Sequence, residues 1–220
     1  MKGLRSHFVA SSFVFLAMVL AVSVVCHAAS GNSKDNGSVK IGEQVWMAKN
    51  LDVTQYRNGD PILQVQDPNE WAMLTTGAWC YYENDSLNGT LYGKLYNWYA
   101  VNDPRGLAPE GWHIPDDEEW QTLVDKLGGD RAAASYLKSV EGWTPPNVGA
   151  NNSSGFTALP SGYRSSGGSF RLAGTNAGWW TSGESGRYTA WYREMFNSYS
   201  AVYRNSGTKT RGFAVRCVKD

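Results

Sequence analysis

The chain has 220 residues and balances 20 Lys plus Arg against 20 Asp plus Glu, so its formal charge at neutral pH is zero. With no basic stripe to follow a phosphate backbone, the composition argues against a nucleic-acid partner. An aromatic content of 13%, together with 24 glycines, suits a loop-rich fold in which large side chains compensate for limited regular structure.

At the amino end, Lys2 and Arg5 precede an apolar run over residues 8–25 broken only by Ser11, Ser12 and Ser23, and Ala28, Ala29 and Ser30 follow. This pattern predicts a signal peptide over residues 1–28 and an extracytoplasmic destination: secreted, periplasmic or associated with the cell envelope. A transmembrane helix is the competing reading, but the run has no stop-transfer charge cluster. A second processing alternative is cleavage before Cys26 with lipidation of that cysteine, the one way the membrane enters. Ser23-Val24-Val25 fits a lipobox poorly, whereas the polar stretch after Cys26 suits a tether. Residues 29–38 read as a flexible linker and 39–220 as one domain, long enough for a sizeable core. Removing the leader takes away Lys2 and Arg5 and no acid, leaving a formal charge of minus two. All ten tryptophans and all twelve tyrosines lie after residue 40.

Residues 39–51 alternate Val39, Ile41, then Val45, Met47 around Gly42 and predict two short strands. Residues 52–77 carry Asn58-Gly59-Asp60-Pro61 and Asp67-Pro68 turn signals and read as a surface excursion. Residues 78–82 predict a strand, 83–90 a loop, and 92–101 a short helix from the spacing of Leu95, Trp98 and Tyr99, although their aromatic content also suits extended chain. Residues 111–114 read as extended. The strongest element follows: Trp120, Leu123, Val124 and Leu127 fall on one helical face, Asp116 and Glu119 form a capping box, and Gly128-Gly129 stops the helix. Asp130 is placed to cap a second helix running to Lys138. Residues 142–178, rich in Pro, Gly, Asn and Ser, predict a long loop anchored by Trp143, Phe156, Leu159 and Phe170. Strands are expected at 178–182, 189–196, 200–204 and 212–219.

In an oxidising compartment Cys80 and Cys217 remain as a pair, and a disulfide between them is expected, contributing on the order of 5 kcal/mol through a closed loop of more than a hundred residues. His113 is the only histidine left once residues 1–28 are removed. It reads as a hydrogen-bonded structural residue, and Asp116, Asp117, Glu118 and Glu119 are accounted for by the helix dipole.

Many separated blocks resemble the Fibrobacter succinogenes major paralogous domain: Ile41-Gly42 with Gln44-Val45-Trp46-Met47-Ala48 and Asn50-Leu51; Cys80-Tyr81-Tyr82 with Asn84-Asp85; Tyr92-Gly93-Lys94-Leu95-Tyr96-Asn97-Trp98. They continue in order with Gly111-Trp112-His113-Ile114-Pro115 and Glu119-Trp120, Leu137-Lys138, Ser154-Gly155-Phe156, Leu159-Pro160, Gly162-Tyr163-Arg164, Trp179-Trp180 and Val215-Arg216-Cys217. That family is similar to the C-type lectin-like superfamily. The resemblance implies an α+β, C-type lectin-like fold with small twisted antiparallel sheets, two helices and a long loop region. It also implies occurrence on exported and envelope proteins of Fibrobacter, Bacteroidetes and related bacteria. Formylglycine-generating enzymes share this fold class and use a cysteine pair with copper, so a copper-dependent oxidase is one alternative. A hydrolase using His113 and a loop carboxylate is another.

No cofactor is expected, with calcium the one metal that loop oxygens could serve: Asn84, Asp85, Asn152 and Glu184 are the candidates. The Glu-Pro-Asn and Trp-Asn-Asp triplets of sugar-binding C-type lectins are absent. The expected function is a non-catalytic, exported binding or adhesion module for an extracellular glycan or protein. The alternative in the same class is a structural display module with no small ligand. Tyr163, Arg164, Phe170, Arg187, Tyr188, Trp191 and Arg193, interleaved with Ser and Gly, are the surface candidates, because aromatic and guanidinium groups are efficient contact residues.

Overall fold

In the computed structural model, residues 37–220 are described. The expected signal peptide, Cys26 and most of the linker lie outside the described residues. The chain turns at Gly42, with φ of +63°, between β1 (Ser38–Ile41) and β2 (Gln44–Met47). The last strand, β12 (Val218–Lys219), pairs antiparallel with β2 and with β6 (Trp112–His113), giving the order β1-β2-β12-β6 and bringing the first and last strands of the described residues into one sheet. A second antiparallel sheet is formed by β9 (Asn176–Gly186), β10 (Thr189–Phe196) and β11 (Val202–Thr208), with β10 central. Smaller pairings join β3 (Leu63–Gln64), β4 (Ala78–Cys80) and β5 (Leu95–Tyr96), and β7 (Tyr163–Arg164) with β8 (Phe170–Arg171). Five short helices accompany them among the described residues: α1 (Pro68–Ala72), α2 (Ser86–Tyr92), α3 (Trp98–Val101), α4 (Asp117–Lys126) and α5 (Ala133–Leu137). The architecture is α+β with small, mostly antiparallel sheets.

The best-specified element forms as its sequence predicts. Asp116 accepts the Glu119 N–H at 2.8 Å while Glu119 accepts the Asp116 N–H at 3.0 Å, so the first turn of α4 satisfies its own exposed donors. Trp120, Leu123 and Val124 are buried; Trp120 meets Trp46 at 5.0 Å and Phe156 at 5.8 Å between ring centroids, in one aromatic core with Trp179. A second cluster gathers Tyr96, Trp98, Trp180, Tyr192 and Phe213, and a third gathers Val65, Trp71 and Leu95.

Elsewhere local chemistry departs from the pattern-based expectations. Residues 83–90, expected as loop, contain a 3-10 turn (Tyr82–Asn84) and then α2, whose Asp85 cap accepts the Leu87 N–H. The helix is hard to read from periodicity because Leu87 and Leu91 face solvent, while Gly89 is required where a Cβ would lie 2.1 Å from the Tyr81 ring. The excursion over 52–77 holds α1, capped by Asp67, which drives Trp71 into the third cluster. Residues 92–101 split into β5 and α3 rather than one helix, since Asn97 caps α3 through the Ala100 N–H. Helix α5 begins after Ala132 without a side-chain cap; Asp130 instead offers its carbonyl to the Val202 N–H. Strand β11 starts at Val202, and of residues 212–219 only β12 forms a ladder, the rest making isolated bridges such as Tyr96 to Phe213. The expected disulfide is not formed: Cys80 and Cys217 are buried free thiols, Cys80 facing the third cluster and Cys217 the second. Burial pushes both thiols up to about 12.

Long connections leave carbonyls that no ladder reaches, and buried cations take them up. Arg164 donates to the carbonyls of Val65 (2.6 Å), Gln66 (2.7 Å) and Gly168 (2.9 Å), binding the 52–77 excursion to the β7–β8 hairpin. Lys138 donates to Val148, Phe196 and Tyr199, and Arg216 to Met47 and Phe156. All three side chains are essentially fully buried. Each satisfies loop acceptors that would otherwise be stranded in the interior.

Candidate functional site

The seven surface candidates do not converge. Arg164 is the buried knot just described, with its guanidinium 4.4 Å from the Trp71 ring, and Phe170 packs on Tyr82 and on the same guanidinium. Arg193 is also buried: its guanidinium reaches Asp117 Oδ1 at 2.7 Å and Gln121 Oε1 at 3.0 Å, so strand alternation aims it at α4 rather than outward. Trp191, half-buried on the same face of β10, lies under the Arg204 guanidinium at 3.5 Å. Tyr163 rests against Phe213. Arg187 and Tyr188 alone among the seven are exposed, at the β9–β10 turn, with the guanidinium 5.1 Å from the Tyr188 ring.

The calcium candidates are likewise engaged locally. Asn84 donates to the Gln66 carbonyl and keeps a buried Oδ1 without a donor; Asp85 caps α2; Asn152 exchanges hydrogen bonds with Thr157; Glu184 pairs with the buried Lys209 at 2.7 Å. Among the described residues no group of three or more His, Cys, Asp or Glu is arranged to hold a metal. His113 stands between Asp220, 2.7 Å from Nδ1, and Glu119, 2.8 Å from Nε2. Both ring nitrogens are therefore committed to carboxylates, and neither is left to take a proton from a nucleophile.

What the structure does assemble is an aromatic patch on the β10–β11 hairpin. Phe196 ends β10, Tyr199 lies in the turn and Tyr203 is on β11; their centroids are 5.7–6.4 Å apart and the rings meet edge to face. Tyr199 is 55% exposed and the other two are half-buried. The turn beneath them is fixed from below. Lys138 Nζ donates to the Phe196 and Tyr199 carbonyls at 3.2 and 2.9 Å, and Asn197 holds the neighbouring loop through Thr144 O and the Val148 N–H. Burial lowers the Lys138 ammonium to about 8.

A polar group borders the rings on the same sheet face. Glu194, two residues from Phe196 and the cross-strand partner of Tyr203, accepts Asn205 Nδ2 at 2.6 Å and Asn176 Nδ2 at 3.1 Å. Burial raises the Glu194 carboxyl above its usual range despite the two amide donors, which favour the anion. From the sequence alone, Phe196 and Tyr203 fall in two separate expected strands, 189–196 and 200–204, with Tyr199 between them. The available signal was Phe196 and Tyr199 either side of Asn197-Ser198, a turn pair between two β-rich runs.

Two clefts lie apart from this patch. One, of about 440 Å³, is bounded by residues 52–57 and 107–110. The other, of about 520 Å³, opens between the 48–52 segment and α2, with Thr157, Leu159 and Arg216 in its lining. No curated protein and no solved structure matches the chain. Residues 39–219, all but the first residue of the sheets just described, match the model of the Fibrobacter succinogenes major domain, and the chain belongs to that family.

Proposed function

We propose that this chain is an exported, non-catalytic binding module of C-type lectin-like fold that takes an extracellular glycan on the β10–β11 hairpin. The observation that carries this reading is the Phe196–Tyr199–Tyr203 cluster, mounted on a turn whose two carbonyls are held by a buried Lys138. Rings already fixed in the free protein lose little entropy on contact, and their faces suit the C–H faces of sugar rings. Glu194 and Asn205, both half-buried, supply hydroxyl-binding groups beside them, with the buried Asn176 holding Glu194 from behind.

The sheet that joins the two ends of the described residues, the α4–α5 succession and the 142–178 loop region favour the lectin-like assignment. Export rests on the leader pattern and on its small residues, with lipidation at Cys26 as the anchored variant. Among the described residues no helix is long and apolar enough to cross a membrane. The oxidase alternative needs two thiols at one metal, and Cys80 and Cys217 face different clusters. The hydrolase alternative needs a free imidazole nitrogen.

The test is a titration of the purified protein with plant, host and bacterial-envelope glycans, followed by intrinsic fluorescence, with and without calcium. A saturable ligand whose affinity falls roughly tenfold or more in Tyr199→Ala and Tyr203→Ala, at unchanged melting temperature, supports the reading. Silence from the folded protein across the panel refutes it in favour of a display or adhesion module with a protein partner.

A further inference from the structure

The larger cleft has a feature that the aromatic hairpin lacks: a buried cation without a counter-ion. Arg216 lines it, fully enclosed, and donates to Asn50 Oδ1 from both Nε (3.0 Å) and Nη2 (2.7 Å), to Met47 O (3.0 Å) and to Phe156 O (2.6 Å). All of these acceptors are neutral. Among the described residues no carboxylate pairs with Arg216, and its remaining N–H, on Nη2, has no acceptor. Asp52 also lines the cleft, but its carboxylate is bonded to Lys94, a buried ammonium lodged against the Trp79 and Tyr81 rings. Exposed Lys49 adds a second positive charge at the rim.

Arg164 is also buried among neutral carbonyls, yet it lines neither of the two clefts. Arg216 differs in bordering space large enough for one or two sugar rings. A second observation comes from Thr157 in the cleft wall. It is β-branched, yet its φ is +56°, in the left-handed region where such residues are strained. The turn persists because Asn152 bonds both its N–H and its hydroxyl, and because Arg216 holds the preceding carbonyl. Strain maintained by surrounding contacts at a cavity wall is characteristic of ligand sites. The remaining wall is mixed: Thr90, Asn50 and Asp52 are polar, and Leu91, Tyr92 and Leu159 are apolar.

We infer that this cleft is a second binding site, separate from the aromatic hairpin, which takes the carboxylate of an acidic sugar with Arg216 as its fixed counter-charge. The ligand carboxylate accepts the unused Nη2–H and neutralises the enclosed guanidinium, the sugar hydroxyls meet Thr90 and Asn50, and the apolar ring face lies against Leu91 and Leu159. A uronic acid of plant polysaccharide and a host sialic acid share this chemistry.

Calorimetric titration of the purified protein with glucuronate, galacturonate and N-acetylneuraminate, each against its methyl ester, tests the inference and identifies the source. Binding of at least one acid roughly tenfold tighter than its ester is expected, the size of a charge-assisted hydrogen bond. It should be accompanied by a shift of the Arg216 Nε–H resonance. Because Arg216→Lys risks unfolding the loop, the rim variants Lys49→Glu and Thr90→Glu serve as primary probes, and each should weaken the acid several-fold without changing the melting temperature. Tyr199→Ala should leave this binding intact, which separates failure here from failure of the hairpin reading. Equal binding of acid and ester, an affinity the rim variants leave unchanged, or no heat and no resonance shift from any of the three acids overturns the inference.

Discussion

Helix α4 and the Arg164 knot solve the same problem in opposite ways. In α4 the backbone satisfies itself: the 3.6-residue repeat closes its hydrogen bonds, and the Asp116–Glu119 box completes the first turn. In the excursion before β4 the chain has only a two-residue strand and a five-residue helix. There the carbonyls of Val65 and Gln66 depend on a guanidinium nearly a hundred positions away in sequence. Regular structure spreads its stabilisation over many replaceable bonds. The loop region concentrates it in single side chains.

The difference is sharpest in what one substitution removes. Arg164→Met keeps much of the packing against Trp71 and Phe170 but strands three buried carbonyls, and about 3–5 kcal/mol of stability should be lost in urea unfolding. Lys138→Met strands the three carbonyls under the aromatic hairpin and should cost roughly 2–4 kcal/mol, softened because the ammonium no longer has to be buried charged. It should also weaken any ligand of Tyr199. By contrast, Asp116→Ala removes one half of a solvent-exposed box and should cost only about 1 kcal/mol. If Arg164→Met proves no more damaging than Asp116→Ala, the loops are held by apolar packing, and the contrast fails.

The same difference explains how much the sequence discloses. Helix α4 is legible because its signals are local: cap, apolar spacing and terminal glycines all lie within residues 111–129. Strand β10 is legible for the same reason, and its bounds are those expected. Arg164 and Arg193 read as surface residues, although both are buried, because their partners, Val65 and Asp117, are distant in sequence and an arginine beside Ser and Gly carries no local mark of burial. Counting pairs Cys80 with Cys217 but does not register that they face different clusters. The aromatic hairpin depends on Lys138, whose three acceptors come from two separate loops. Arg216 sits in a recognisable family block, but its lack of a carboxylate partner is a fact of three dimensions.

His113 gives the smallest effect and tests whether a side-chain clasp also operates next to α4. It joins the regular half to the chain's last strand by bridging Glu119 on the helix and Asp220 just beyond β12. Partial burial by itself lowers the imidazole pKa, but the hydrogen bonds and charges of Glu119 and Asp220 outweigh it, and the net direction is upward. A folded-state pKa above the unfolded value of about 6.5 means that the folded protein holds the proton more tightly. The clasp therefore contributes fully below that unfolded value, and its contribution is lost as pH rises through the raised folded pKa. With His113 41% exposed, screening should keep this contribution below about 1 kcal/mol. Wild type should exceed His113→Gln in unfolding free energy at about pH 5.5 and converge toward it by about pH 8.5. A difference that stays constant across that range would assign His113 a packing role alone, leaving α4 held by its own backbone and its apolar face.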